Sequence, residues 1–525
     1  MSEKRIGVFI CESAGGSEGS LDLRSLGKHV SSLPEVSFVR FIDQVCKETG
    51  QAQMLQALNE DEVDRFVVAA CSPLSKERML MRLAAEAGLN PFMFTIANVR
   101  EQSAFVHSKA GADLKAKRLL RMAVEKCRLL APAPYDVRIP ESRTVLVIGD
   151  GLRAALAAEE VSALGLEVMI LVEEGMLRLP RFLDDALAEP LKRSEEGSPI
   201  ISGHLASLDG VPGAFDVLTE GKTSGALRCG AVIIAFDPLP AKLEEGIMGP
   251  MHFEELMASG APLPLSLVIV VDDWRSDFHS PQAMEWAMRT AVAIRTRSPE
   301  SSVRILCRDI SSRGELESEQ LRAQRHGTIF VRTERAPTVT PGERATVRTV
   351  DPIVGELALD ADAVVLVGSD LNAGSASTCF VLGLAMRPDG MPRESKVRLR
   401  AGESLRAGVY VIDPWSEWSS ADVRSDCAAV AARAAALLLS PGIEEGGAVA
   451  QVEAGKCSVC LSCVRICPYG APYVTEERKA EVRYELCQGC GMCVTSCPSK
   501  AIDMHCYSDA QITAEGKAAL KEPRP

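Results

Sequence analysis

The sequence of 525 residues lacks any apolar run long enough to cross a lipid bilayer. Its richest apolar stretch, residues 428–439, is short and interrupted by Arg433, which is typical of a packed helix. The first residues, MSEKRIGVFICE, lack a basic segment that leads into an apolar stretch and a small-residue cleavage site. We therefore expect a cytoplasmic protein without a transmembrane segment.

Several catalytic patterns are also missing, among them a G-x-S-x-G elbow, an H-E-x-x-H motif and a Walker loop. Positive charge is scarce as well, because 71 acidic residues against 58 lysines and arginines leave a formal net charge of −13. This balance argues against a broad nucleic-acid surface. An apolar content of 46% with ordinary charge indicates a globular protein, and the length suggests roughly three or four domains.

Cysteine, in contrast, is concentrated in two short runs. CSVCLSCVRICP at 457–468 and CQGCGMCVTSCP at 487–498 share the form C-x-x-C-x-x-C-x-x-x-C-P. Disulfides do not suit a cytoplasmic protein, and structural zinc usually takes two separated pairs of ligands. The form is that of bacterial ferredoxins, which bind iron–sulfur clusters. The two runs therefore predict two 4Fe–4S clusters.

The same pattern assigns the ligands, because the fourth cysteine of each run ligates the other cluster. Neither cluster forms without both runs, so residues 450–507 are predicted to be one α+β ferredoxin domain with a tail at 508–525. Such clusters carry electrons, so the domain needs a donor and an acceptor. The first predicted set is Cys457, Cys460, Cys463 and Cys497, and the second is Cys487, Cys490, Cys493 and Cys467.

Upstream of the ferredoxin runs, strand-like and helix-like segments alternate, which predicts an α/β protein. Residues 1–135 form a first α/β domain in this interpretation, and residues 144–175 begin a second with a strand, a glycine-rich turn, a helix and a strand. Gly149, Gly151 and Ala154 fit the G-x-G-x-x-A dinucleotide fingerprint.

An acidic residue, Glu173, lies 22 positions after Gly151, where a contact to ribose is expected. The fingerprint predicts a discontinuous Rossmann-like domain over 143–250 and 340–440. Two further apolar strands, at 229–237 and 360–370, are predicted to return to its sheet. Residues 260–335 form an inserted α/β domain without a glycine fingerprint, so we expect no nicotinamide there.

The order of these segments resembles the A subunit of heterodisulfide reductase. The resemblance covers nearly the whole chain and implies a thioredoxin-reductase-like FAD/NAD(P)-binding fold for the Rossmann-like domain. The segments that carry it are RIGVFIC at 5–11, DRFVVAACSP at 64–73, GLNPFMFTIANVREQSAFVH at 88–107, VLVIGDG at 145–151 and SDAQI at 508–512.

This resemblance implies an iron–sulfur electron-transfer subunit of a heterodisulfide-reductase-like oxidoreductase complex. Its partners would be the other subunits of that complex, together with a ferredoxin or an electron-delivering oxidoreductase subunit, in a larger and duplicated assembly. The family also carries FAD, which can split an electron pair between two acceptors. We expect no catalytic residue in this chain and no catalysis by the isolated subunit.

The sequence departs from the family around the expected flavin, and these departures leave FAD binding open. Bulky or charged residues stand where the family usually has glycine, and cysteines common in the family are missing. The positions concerned are 173–190, AFD at 235–237, VGSD at 367–370, Ile412, Asp272, Asp273 and Trp274.

The resemblance further implies a third iron–sulfur cluster in the N-terminal domain, for which Cys11, Cys46 and Cys71 match. Ser13 stands where a second cysteine would complete a C-x-C pair with Cys11. A serine oxygen or a residue of a partner could supply the fourth ligand. In the alternative interpretation the three cysteines are small buried apolar residues.

Two other functions stay open at this point. The chain could be a non-catalytic wire or scaffold that has lost FAD, or an independent NAD(P)-linked flavoprotein reductase. The first alternative is distinguished by the absence of flavin in the purified chain. The second predicts NADH oxidation by the isolated chain.

Overall fold

A computed structural model describes residues 5–15, 20–61, 63–173, 198–237, 239–240, 246–272, 281–310, 312, 314–370, 373–386, 392, 402–412 and 420–521. The chain divides into two compact units. Unit one comprises Met1–Arg138 and Glu444–Pro525, and unit two comprises Ile139–Ile443. Within the described ranges, no helix combines the length and apolar character needed to span a membrane.

The N-terminal part of unit one contains a parallel sheet flanked by helices. Its elements are β1 (Ile6–Cys11), α1 (Leu23–Ser31), β2 (Val36–Ile42), α2 (Glu48–Glu60), β3 (Arg65–Ala70), α3 (Pro73–Glu86), β4 (Phe94–Asn98), α4 (Lys109–Arg128) and β5 (Tyr135–Arg138). The sheet order is β2-β1-β3-β4. Every residue of β1 and β3 is buried, as expected for central strands of a parallel sheet covered on both faces.

Arg65 at the start of β3 secures the end of α4. Its guanidinium is almost fully buried and donates 3.1 Å hydrogen bonds to the carbonyl oxygens of Cys127, Arg128 and Leu130. These carbonyls lie at and just beyond the C-terminus of α4, where no further helical turn supplies N–H donors. A buried cation thus satisfies the helix end and fixes α4 against the sheet.

Unit two begins with a second parallel sheet, which contains the fingerprint strand. Its first elements are β6 (Thr144–Ile148), α5 (Leu152–Ala163), β7 (Glu167–Val172), β8 (Ile200–Ser202), β9 (His204–Val211), β10 (Ala214–Glu220), β11 (Gly225–Cys229), β12 (Ala231–Ile234) and β13 (Leu239–Pro240). Strands β9, β10 and β11 form an antiparallel sheet of their own.

A third parallel sheet occupies the middle of unit two, and the chain then returns to the second. The elements are α6 (Pro250–Ala258), β14 (Ser266–Asp272), α7 (Pro281–Arg297), β15 (Ser302–Cys307), α8 (Glu315–Arg325), β16 (Ile329–Arg332), β17 (Thr338–Thr340), β18 (Ala345–Asp351), β19 (Gly355–Ala361), β20 (Ala363–Asp370), α9 (Ala373–Leu382), β21 (Val409–Val411) and α10 (Ser420–Leu438).

The two five-stranded sheets have the orders β21-β12-β6-β7-β8 and β13-β20-β14-β15-β16. The prediction that residues 360–370 return to the fingerprint sheet is wrong, because β20 pairs in parallel with β14 in the other sheet. The return strands of the fingerprint sheet are β12 and β21. Buried parallel strands all have uninterrupted apolar sequences, so the sequence does not indicate which sheet a given strand joins.

The C-terminal part of unit one contains the two cysteine runs. Its elements are β22 (Ile443–Gly446), β23 (Ala450–Val452), α11 (Ser462–Ile466), β24 (Pro472–Val474), β25 (Ala480–Val482), α12 (Met492–Thr495), β26 (Ile502–Met504) and α13 (Asp509–Leu520). Strands β23 and β26 form one antiparallel pair and β24 and β25 another. The predicted fold class, α/β with a C-terminal α+β ferredoxin domain, is confirmed.

The last helix joins this part to the N-terminal part of the same unit. Gln511 on α13 is buried and donates a 2.9 Å hydrogen bond to the carbonyl oxygen of Leu129 at the end of α4. Arg121 on α4 donates a 2.8 Å bond to the carbonyl oxygen of Lys521. Ser508 and Gln511 form a capping box that starts α13. The SDAQI segment therefore both begins this helix and attaches it to α4.

Candidate cluster sites and dinucleotide fingerprint

Two cavities in unit one are each lined by four cysteines. The first has an empty volume of about 380 Å³ and is lined by Cys457, Cys460, Cys463 and Cys497, with apolar side chains around them. The second has an empty volume of about 310 Å³ and is lined by Cys467, Cys487, Cys490 and Cys493. Each cavity thus combines three cysteines of one run with the fourth of the other.

Electrostatic coupling agrees with this grouping. Burial raises the pKa of the Cys493 thiol to about 11, and the neighbouring thiolates of Cys487, Cys467 and Cys490 contribute to that rise. Cys467 belongs to the other run and still acts on Cys493. In the described part of the chain, no three His, Cys, Asp or Glu side chains converge on a single-ion site. Four thiols around a cavity instead fit a polyatomic cluster, because thiolates are its ligands.

Hydrogen bonds reach the cysteines of the first cavity from several directions. The backbone N–H of Ala480 lies 3.5 Å from Cys457 Sγ, and the N–H of Ala501 lies 3.3 Å from Cys497 Sγ. Lys479 Nζ donates a 2.9 Å bond to the carbonyl oxygen of Cys457. Such donors and a nearby positive charge favour the reduced, more negative form of a bound cluster.

The two runs adopt the same backbone with different residues. Gly489 and Gly491 in the second run have φ angles of 64° and 74°, and Val459 and Leu461 occupy the matching places in the first run at 57° and 63°. A β-branched residue at positive φ is a strained outlier and costs roughly 1–3 kcal/mol. The first run therefore stores strain that the second run avoids with glycine.

The predicted fingerprint residues lie together at the carboxyl end of β6. Gly149 follows the strand, Gly151 is the N-cap residue of α5, and Ala154 is fully buried in the first turn of that helix. Gly149, Asp150 and Glu173 line a cleft with an empty volume of about 360 Å³. The predicted ribose position thus adjoins an open space.

The pyrophosphate position of the fingerprint is filled by the chain itself. The Asp237 carboxylate accepts a 3.1 Å hydrogen bond from the backbone N–H of Arg153 and pairs with the buried Arg153 guanidinium. A Cβ built on Gly151 would overlap this carboxylate. The start of this helix is where a dinucleotide places its pyrophosphate. The residues present here do not fit FAD, because the Asp237 carboxylate already occupies the position that the FAD pyrophosphate would take.

Of the other predicted departures around the flavin, several fall outside the described residues. These are residues 174–190, Asp273 and Trp274. Ile412 is buried directly after β21, where its N–H donates a 2.9 Å bond to the carbonyl oxygen of Ile234.

The three N-terminal cysteines also come together. Cys11 ends β1 and Cys71 directly follows β3, so both lie at the carboxyl edge of the first sheet. Burial raises the pKa of the Cys11 thiol, and the charges of Cys71 and Cys46 contribute to that rise. Arg100 Nη1 lies 3.5 Å from Cys71 Sγ. Ser13, in contrast, donates its hydroxyl to the carbonyl oxygen of Asp43 at 2.8 Å.

A comparison with known protein families identifies the class of the C-terminal cysteine runs. A family model described as a 4Fe-4S dicluster domain matches residues 456–501. This match covers both cysteine runs and confirms the prediction of two 4Fe–4S clusters. The chain is therefore an iron–sulfur protein of the dicluster type.

The whole chain matches longer relatives. It is 26% identical to the A subunit of the H(2):CoB-CoM heterodisulfide,ferredoxin reductase of Methanothermobacter marburgensis over 651 aligned positions, which cover 100% of this chain and 98% of the relative. It is also 26% identical to the second iron-sulfur A subunit of the CoB--CoM heterodisulfide reductase of Methanopyrus kandleri, over 90% of this chain and 92% of the relative. The chain is a homologue of the heterodisulfide reductase A subunits, and the predicted resemblance is confirmed.

Solved structures give a weaker likeness. Thioredoxin reductase of T. acidophilum matches 57% of this chain and 100% of its own, with 14% identity and a TM-score of 0.41. The sheet orders and strand directions described above define the fold without it.

Sequence reasoning missed the roles of three side chains at these sites. Lys479 follows an ordinary charged turn and has no signal in the sequence. Arg153 does have one, because a charged residue between Gly151 and Ala154 is out of place in the apolar first turn of a fingerprint helix. Asp237 belongs to the segment AFD at 235–237, where the sequence places bulky residues close to the expected cofactor. Its ion pair with Arg153 is evident only from the fold.

Replacing Lys479 with methionine should make the cluster of the first cavity harder to reduce. Removal of the positive charge beside Cys457 should lower the reduction potential of that cluster by on the order of 30 mV. A redox titration followed by electron paramagnetic resonance measures this shift. The exposed Lys517 on α13 is the control, and Lys517→Met should leave the potential unchanged. Equal shifts in both variants would show that only net charge matters.

Proposed function

We propose that this chain is the iron–sulfur electron-transfer subunit of a heterodisulfide-reductase-like oxidoreductase complex. The observation that carries the proposal is the pair of four-cysteine cavities in unit one. In this assignment Cys457, Cys460, Cys463 and Cys497 bind one cluster, and the other four cysteines of the runs bind the second. The chain relays electrons and does no chemistry on a substrate of its own.

Within this relay, the side chains of the protein hold and tune the centres. A bound 4Fe–4S cluster exchanges single electrons at a potential that hydrogen bonds and exposure adjust. The cysteine thiols supply the ligands, and the N–H groups of Ala480 and Ala501 stabilise the sulfurs of Cys457 and Cys497. Lys479 precedes β25 and Val449 precedes β23 in matching places, and Val449 is buried and uncharged. These differences favour reduction of the cluster in the first cavity over that in the second.

The names of the relatives indicate the kind of partner that this chain would have. Their names describe subunits of reductases for a heterodisulfide and, in some cases, a ferredoxin. We assign this chain to a multi-subunit assembly of that kind, in which other subunits deliver and receive the electrons. An independent NAD(P)-linked reductase is not favoured, because the homologues are named as subunits.

The N-terminal cysteines extend the proposal. Cys11, Cys46 and Cys71 supply three thiols, and the hydroxyl proton of Ser13 is engaged with Asp43. A serine ligand would have to give up that hydrogen bond and lose its proton. We assign a third cluster at this place only to the assembled complex, in which a partner residue supplies the fourth ligand. The isolated chain then carries two clusters.

A reductive titration of the oxidised chain tests this assignment. The purified, reconstituted full chain should take up about two electrons, one for each cluster, when it is titrated anaerobically with dithionite. The Cys71→Ser variant should take up the same number, because no N-terminal cluster is present to be lost. An uptake of about three electrons that falls to two in Cys71→Ser would instead show a third cluster in the isolated chain. An uptake near zero would contradict the relay itself.

A further inference from the structure

The fingerprint turn of unit two carries an internal anion. Asp237 lies three residues beyond β12, and its carboxylate reaches across to the start of α5 on the neighbouring strand-helix unit. There it accepts the backbone N–H of Arg153, the second residue of the helix. The first N–H groups of a helix have no carbonyl partner within the helix, which makes a helix start attractive to phosphate.

The carboxylate is fixed in that position by more than the helix. Arg153 is 4% exposed, and its guanidinium pairs with Asp237, so the two side chains neutralise each other inside the protein. Separating such a buried pair leaves a charge in a poor environment, which is strongly unfavourable. The Asp237 carboxylate also lies against the Cα of Gly151, in the space that the missing side chain of this glycine leaves open.

The rest of a nucleotide site survives next to this carboxylate. Gly149, Asp150 and Glu173 line the open cleft of about 360 Å³, and neither Asp237 nor Arg153 lines it. The ribose end of the fingerprint is therefore accessible and the pyrophosphate end is closed. A dinucleotide needs both ends, because its two phosphates connect them.

We propose that Asp237 is a built-in substitute for the cofactor pyrophosphate and keeps FAD out of an otherwise intact fingerprint fold. The carboxylate supplies the negative charge that the start of α5 and Arg153 require, so the fold is stable without a cofactor. Removal of this one charge reopens the position, and Arg153 then becomes a partner for the pyrophosphate.

Equilibrium dialysis against FAD tests the proposal with the cluster-containing full chain. Bound FAD is released by acid and measured by its fluorescence, which separates it from cluster absorbance. The wild-type chain should retain no stoichiometric FAD. Asp237→Gly and Asp237→Asn should both bind FAD at least about tenfold more tightly, because two like charges no longer meet at contact distance. Added FAD should also raise the Tm of the variants and leave that of the wild type unchanged.

A matched control excludes a simple effect of net charge. Asp216 pairs with Arg228 at 2.9 Å on an exposed face of the same unit. Asp216→Asn should therefore bind FAD no better than the wild type. A gain equal to that of Asp237→Asn would overturn the proposal, as would folded Asp237 variants with no gain.

FAD binding by the wild-type chain tests the proposal even where a variant fails to fold. One equivalent of FAD retained by the wild-type chain would overturn the proposal, and a wild type that binds FAD only at millimolar concentration would support it. Iron and sulfide content are measured on the same samples. The relay function therefore stands or fails separately from the account of Asp237.

Discussion

Replacing Cys467 with serine should remove the cluster of the second cavity and leave that of the first. Cys467 belongs to the first run in sequence, yet it lines the second cavity with Cys487, Cys490 and Cys493. Iron should fall from about eight to about four atoms per chain, because the clusters are held by cysteine thiolates and a serine hydroxyl would have to lose its proton before it could replace that of Cys467. Anaerobic iron and sulfide analysis of the variant measures this loss.

The identity of the surviving cluster can be read from its response to Lys479. Lys479 lies beside Cys457 in the first cavity. Adding Lys479→Met to Cys467→Ser should therefore shift the potential of the remaining cluster, whereas adding it to Cys497→Ser should not. Cys506→Ser is the control, because Cys506 lines neither cavity and should keep about eight irons. The reverse response of the two double variants would contradict the crossed ligand sets.

Gly489→Ala should disrupt the second cavity, whereas Gly491→Ala should be tolerated. Both glycines have positive φ angles, of 64° and 74°, so alanine is strained by roughly 1–2 kcal/mol at either place. The surroundings differ, because a Cβ at Gly489 would lie 2.5 Å from the carbonyl oxygen of Ala448, whereas nothing lies within 4 Å at Gly491. We expect Gly489→Ala to lower the free energy of unfolding by at least about 3 kcal/mol and to abolish binding of the second cluster.

The control for this comparison exists in the protein itself. The first run carries Leu461 at the place that matches Gly491, so a side chain with this backbone is already accommodated there. Anaerobic denaturation of the two variants, with iron content measured beforehand, compares their free energies of unfolding. Equal losses in Gly489→Ala and Gly491→Ala would mean that backbone conformation alone, and not the contact with Ala448, sets the cost.

The function of the cysteine runs was predictable because the spacing of the cysteines alone is typical of cluster ligands. A cluster needs four thiolates at fixed separations, and the pattern C-x-x-C-x-x-C-x-x-x-C-P supplies them wherever it occurs in a chain. The strand, turn and helix at 144–163 were predictable for a similar reason, since Gly149 and Gly151 mark a sharp turn in a known context.

What the sequence did not indicate depends on residues distant along the chain. Arg153 and Asp237 are 84 positions apart, and only the parallel pairing of β12 with β6 brings them together. The prediction that β20 joins the fingerprint sheet was wrong for a related reason, because buried parallel strands have similar apolar sequences and β20 pairs with β14 instead. Local patterns identify elements, whereas the partner of each element is decided by packing.

The most direct test of the relay is the inorganic content of the purified chain. Iron, acid-labile sulfide and zinc should be measured together on protein prepared without oxygen. The two four-cysteine cavities predict about eight irons and about eight sulfides per chain, with no stoichiometric zinc. Zinc without sulfide, or about four irons with one cysteine set unoccupied, would contradict a two-cluster electron relay.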